Sequence, residues 1–164
     1  MKKVIALLTL ALILIGMTGC GLFEAKEKTF SKGSFSITLN DDFSEGDRNT
    51  YKNSYAFYES DYVHVMVMHE SYDELGVEED ECTLDDYIQA ILEANDRTSS
   101  NVKEDISYKY ITYMSEEDGE TMFYKVTFFK GAEGFYSVSF ITNLDNLDSY
   151  GEKFEAWAES VVVD

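Results

Sequence analysis

Apolar and polar side chains alternate along several short stretches of this chain. Phe35, Ile37 and Leu39 alternate with Ser34, Ser36 and Thr38, the period-two pattern of a half-buried strand. Residues 40–49 (NDDFSEGDRN) form a turn-rich loop. Residues 50–59, with Tyr51, Tyr55, Phe57 and Tyr58, read as a second strand. The clearest strand is residues 62–69 (YVHVMVMH). Val63, Val65 and Val67 face one way, and His64, Met66 and Met68 face the other. Both sets are largely apolar, which predicts a central strand covered at least in part on both sides.

The period then changes to that of a helix. Thr83 with Asp86 three residues later resembles a capping box. Leu84, Tyr87, Ile88, Ile91 and Leu92 share one helical face, and polar residues take over near Asn95. Alternation returns with Ile106, Tyr108, Tyr110, Thr112 and Met114 on one side of a strand. Glu117-Asp118-Gly119 predicts a hairpin turn, because Asp-Gly favours positive φ. Met122, Tyr124, Val126 and Phe128 share a face of the next strand, with Phe123 and Phe129 on the other. Gly131 and Gly134 bracket another turn. Tyr136, Val138 and Phe140 make the inner face of the last strand. Asp145 or Asn146 can cap a final helix carrying Leu147, Tyr150, Phe154, Trp157 and Val161. The order β-β-β-α-β-β-β-α, ending in a meander, predicts an α+β domain: a single antiparallel sheet of about six strands flanked by helices.

The N-terminus follows a different pattern. Lys2 and Lys3 precede an apolar run over residues 4–15, and Gly16, Thr18, Gly19 and Cys20 follow. This is the layout of a secretory signal, shorter than the roughly 20 residues of a membrane span. Met17-Thr18-Gly19-Cys20 resembles the lipobox of bacterial lipoproteins. That resemblance implies a signal peptide at residues 1–19 and a diacylglycerol thioether, with further fatty acyl groups such as palmitate, on Cys20. Residues 20–28 are then the lipidated Cys and a short tether, and residues 29–164 one domain. The eight residues after Cys20 span at most about 28 Å. The protein is expected outside the cytoplasm, anchored to the cell membrane of a Gram-positive or the outer membrane of a Gram-negative bacterium. The bilayer is one partner, through Cys20.

Between residues 29 and 163 the chain resembles the PsbP-like superfamily. That group takes its name from an extrinsic subunit of photosystem II and includes many small bacterial lipoproteins of unknown role. The resemblance rests on KGSFSITLNDDF, on YVHVMVM with its acidic sequel, on TLDDYIQAIL, and on FYSVSFIT with the closing YGEKFEAWAESVV. Relatives often carry Pro after the first strand, where this chain has Asn40-Asp41-Asp42. The resemblance implies a PsbP-like fold and transfers no catalytic, cofactor or metal residue.

Composition narrows the partners. The chain has 164 residues, 32 acidic and 13 basic side chains, and a formal charge of −19. Cleavage before Cys20 would remove Lys2 and Lys3 and no acid, so the charge becomes more negative still. Nucleic acid is excluded, because phosphate needs Lys and Arg to neutralise it. Cys20 and Cys82 are the two cysteines; with lipid on Cys20, Cys82 has no disulfide partner. His64 and His69 stand five apart on one strand, on opposite faces, and cannot share a metal. His69-Glu70 lacks the second His of a zinc-protease motif, and no phosphate-binding or nucleophile-elbow motif occurs.

Two clusters remain. The acidic stretch at residues 70–86, and Asn143, Asp145, Asn146 and Asp148, could meet a hard cation such as Ca²⁺, although solvation and capping explain them too. The chain also carries 12 Tyr, 11 Phe and 1 Trp. Tyr51, Tyr55, Tyr58, Tyr108, Tyr110 and Tyr113 are candidates for a binding surface, since tyrosine offers contact area at low entropic cost. Cross-strand packing is the alternative for them. The expectation is a non-enzymatic binding or scaffold module without a cofactor, serving a protein partner in the envelope. The alternatives are a Ca²⁺- or Mg²⁺-responsive acidic surface protein, or a hydrolase using scattered carboxylates or Cys82.

Overall fold

The computed structural model describes residues 26–47, 50–98 and 102–164. Residues 1–19, read above as a signal peptide, Cys20 and the first part of the segment read as a tether lie outside the described residues.

The chain opens with a hairpin of β1 (Glu27–Lys32) and β2 (Phe35–Asn40). Gly33 takes a positive φ of 56° at its tip, a conformation that favours glycine. Strand pairing starts at Glu27, so Glu27 and Lys28 belong to the folded body as well as to the segment read as a tether. The strand expected first, around Phe35, does not join the main sheet. It is the middle of a small one, because β10 (Val162–Val163) pairs with its other edge, Val163 opposite Phe35.

Among the described residues the main sheet has seven antiparallel strands. They are β3 (Ser44–Glu45), β4 (Ala56–Glu59), β5 (Val63–Ser71), β6 (Lys103–Glu104), β7 (Lys109–Glu117), β8 (Glu120–Gly131) and β9 (Gly134–Asn143). Their spatial order is β3-β4-β5-β9-β8-β7-β6. β5 is therefore interior, as its two apolar faces require. The β7-β8-β9 meander closes through Asp118 (φ 52°) and Gly119 (φ 87°), the two positive φ values of a tight hairpin turn.

Among the described residues, three helices flank the sheets: α1 (Tyr72–Leu75), α2 (Leu84–Ala94) and α3 (Leu147–Glu159). A Thr83/Asp86 capping box starts α2. A 3₁₀ turn at Leu144–Asn146 precedes α3, and the side chain of Asn143, rather than of Asp145 or Asn146, caps it. The helix stops at Ser160, whose hydroxyl donates to Thr38 O and accepts from Thr38 N, 3.0 Å each.

Two apolar layers result. On the first face of the main sheet, Val63, Val65, Val67, Val138 and Phe140 meet Phe30, Phe35, Ile37 and Leu39 of the small sheet and Phe154 and Trp157 of α3. Phe140 stacks on Phe154 at 5.5 Å, and Phe43 meets Trp157 edge-on at 5.1 Å. On the second face, Tyr87, Ile88 and Leu92 of α2 cover Ile111, Val126, Phe128 and Phe135. Each such side chain contributes about 1.5–3 kcal/mol on leaving water.

Two predicted strands are shorter than expected. Residues 50–54 form turns, closed by Thr50 N to Asp47 O and Ser54 N to Tyr51 O, since Lys52, Asn53 and Ser54 have no apolar alternation to bury. Ile106 is fully exposed in a turn before β7. The Asp105 carboxylate accepts its backbone N–H, and Asp105 N donates to Tyr108 O.

Candidate functional site

α2 covers only part of the second sheet face. Beside it runs an open groove of about 400 Å³. Strand alternation builds its floor: Met66 and Met68 point up from β5, Ser137 and Ser139 from β9, Val126 from β8 and Ile111 from β7. Ile91 and Leu92 of α2 make one wall. Ser137 and Ser139 alternate with the large side chains Tyr136, Val138 and Phe140, so between Phe135 and Ile141 β9 is bulky on the core side and slim on the groove side.

Each end is closed by a polar pair. At one end the Tyr87 hydroxyl donates to the Glu70 carboxylate at 2.7 Å. Burial, then that carboxylate, push the phenol well above its ordinary value, so Tyr87 stays a hydrogen-bond donor. At the other end the Arg97 guanidinium lies 3.6 Å from the centre of the Tyr113 ring, a cation–π contact. Tyr113 in turn stacks on Tyr124 at 4.6 Å. Burial raises the Tyr113 phenol, against the pull of Arg97.

The six tyrosines singled out in the sequence do not form one surface. Tyr113 lines the groove. Tyr51 packs on Phe57, at 4.8 Å, on the same face of the sheet. Tyr58 and Tyr108 are buried in the first layer. Tyr55 and Tyr110 pack against that layer half-buried, with Tyr55 donating to Lys32 O at 2.8 Å. Cross-strand packing is their use. The groove residues Met66, Met68, Ser137 and Ser139 went unselected. Their signal was the alternation in VHVMVMH and YSVSF, which puts adaptable or small side chains on one face of two adjacent interior strands.

His64 and His69 do face opposite ways. His64 contacts Phe57 at 5.5 Å, and His69 stacks on Tyr136 at 4.4 Å. Cys82 is half-buried, its thiol 3.7 Å from Thr83 O, and it packs beside the Tyr72 and Leu84 cluster. The acidic stretch is tied down by Lys130, whose ammonium donates to Glu79 O and Cys82 O at 2.7 and 3.0 Å. Glu74 and Asp86 cap helices, and those hydrogen bonds hold both carboxyls below the usual range. A bowl of about 430 Å³ gathers Asp61, Glu120 and Asp145. There Asn143 donates to Glu120 and accepts from Asp145 N. Among the described residues no group of three or more His, Cys, Asp or Glu is placed to hold a metal ion.

No protein-family model matches the chain, and no curated protein matches its sequence. Solved structures do resemble it. Cyanobacterial PsbP from Synechocystis superposes with a TM-score of 0.51 at 12% identity, over 88% of this chain and 96% of that one. A protein from Bacteroides thetaiotaomicron superposes with a TM-score of 0.57 at 13% identity, over 84% of this chain and 48% of the other. At such identities the likeness concerns the fold alone, and fold does not fix function. The PsbP-like fold expected from the sequence is the fold observed.

Proposed function

We propose that this protein is a lipid-anchored extracytoplasmic lipoprotein that acts as a non-enzymatic binding module, and that it binds through the groove beside α2. The observation that carries the binding site is the groove itself. An interior face is covered only in part by α2, with thioethers and aliphatic side chains for area and two serines and a Tyr-Glu pair for direction. Few, well-placed polar groups in an apolar cleft are what a recognition site needs. Met66 and Met68 can reshape around a ligand. An uncharged, mainly apolar stretch of an envelope protein suits this lining better than an acidic or a basic one, because Glu70 and Arg97 are each already engaged. The lipobox at Cys20 and the basic, apolar leader before it support the anchoring.

The test is site-directed photocrosslinking in cells. A photoreactive residue at Ile91, on the groove wall, should give a discrete crosslinked band. The same residue at Glu152, on the exposed side of α3, should not. Equal bands from both positions, or none from Ile91, would refute groove binding.

A further inference from the structure

Lys125 sits where a lysine is expensive. It belongs to β8, opposite Phe140 on one neighbour and Thr112 on the other, so its side chain enters the first layer among aromatic residues. That side chain is 6% exposed. An ammonium carries three donors, yet the contacts here are long: Tyr108 Oη at 3.4 Å and Glu155 Oε1 at 3.8 Å. The rings of Tyr110 and Tyr108 lie 4.6 and 5.5 Å away. The amine borders an open pocket of about 300 Å³ beside α3, lined by Tyr110, Thr112, Phe123 and Phe154, with Lys103 and Glu155 also on its lining.

We propose that Lys125 is a nucleophilic amine that captures a small, mainly apolar carbonyl compound as an imine in this pocket. The site lies on the face opposite the groove and does not depend on it. Three features support it. First, the amine is sequestered from water but borders open space, the setting in which lysines become nucleophiles. Second, burial lowers its pKa and Lys103 adds to the lowering, while Glu155, Asp105 and Glu159 act against it. Third, a proton carrier is in place. Burial, with Asp105 and Glu155 nearby, holds the Tyr108 phenol well above its ordinary value, so it keeps its proton at neutral pH.

The chemistry balances without a redox partner. The Nζ lone pair attacks the carbonyl carbon and gives a carbinolamine. The nitrogen gives up a proton, the oxygen takes one from Tyr108 and leaves as water, and C=N forms. Tyr108 then recovers the proton that the nitrogen released. The aromatic walls favour a short alkyl or aryl aldehyde.

The experiment is competitive reductive trapping. The full chain is exposed briefly to limiting butanal with cyanoborohydride, and the modified lysines are located by peptide mass spectrometry. Burial lowers the Lys125 pKa and so raises its neutral fraction, and Lys125 should label severalfold faster than exposed Lys153 near neutral pH. Tyr108→Phe should slow labelling of Lys125 while leaving Lys153 unchanged, and Lys125→Arg should abolish the fast adduct. Labelling of Lys125 no faster than Lys153, or only after denaturant is added, would overturn the proposal whether or not the variants fold.

Discussion

Tyr87 on α2 and Glu70 near the end of β5 meet in a 2.7 Å hydrogen bond across 17 residues of chain. The bond ties the start of the helix to the sheet it covers and forms one end of the groove. Tyr87→Phe keeps the ring stacked on Phe135, 4.5 Å away, but removes the donor. It should cost about 1–1.5 kcal/mol in urea unfolding and alter ligand contact at that end. No change in either would show that packing alone positions α2.

The capping box of α2 gives a pH-dependent prediction. Thr83 Oγ1 accepts from Asp86 N, and Asp86 accepts from Thr83 N at 2.9 Å. Thr83→Ala should destabilise the protein by about 1 kcal/mol at neutral pH. The folded-state pKa of Asp86 is lowered, so its contribution is present above the usual carboxylate pKa of about 4 and is lost as pH falls through the folded value. The difference between the variant and the parent should therefore shrink in acid, as thermal melts across pH would show.

Alkali acts through the tyrosines. Tyr87, Tyr108 and Tyr124 are all held well above their ordinary value, chiefly by burial. A raised folded-state pKa means that stability is intact below the unfolded phenol value of about 10 and declines above it. The near-ultraviolet tyrosinate band of these three should appear together with unfolding and not before it. Full titration in a still-folded chain would contradict this.

Gly134 begins β9 at φ 155°. A Cβ there would lie 2.3 Å from Glu70 O and 2.7 Å from Ser71 Cα. Both are backbone atoms of the strand to which β9 is paired, so neither can swing aside. Gly134→Ala should cost about 2–3 kcal/mol and loosen the β5–β9 ladder, visible as faster amide exchange along both strands.

Much of this architecture was legible because alternation reports burial directly. The faces of β5, β8 and β9, the α2 capping box and the Asp118-Gly119 turn were all readable in this way. What escaped depends on long-range pairing. Nothing local in Phe35–Asn40 says whether it joins the main sheet or a small one, because that depends on β10, over 120 residues away. Glu27–Lys32 has too little apolar content to announce a strand; it pairs because β2 offers an edge. The placement of most of the tyrosines was hidden for a related reason. A strand shows which residues share a face but not what covers that face, and the first face is covered by the small sheet and α3. The groove is the converse, an apolar face for which α2 is too short.

Anchoring of this body by a lipid is the claim on which the proposed role rests most heavily, and mass spectrometry of the full chain recovered from bacterial membranes tests it most directly. The account predicts an N-terminal peptide that begins at Cys20 and carries diacylglycerol with added fatty acid, and a Cys20→Ala variant that is neither cleaved nor lipidated. A bare Cys20 thiol, or cleavage at another position, would contradict it.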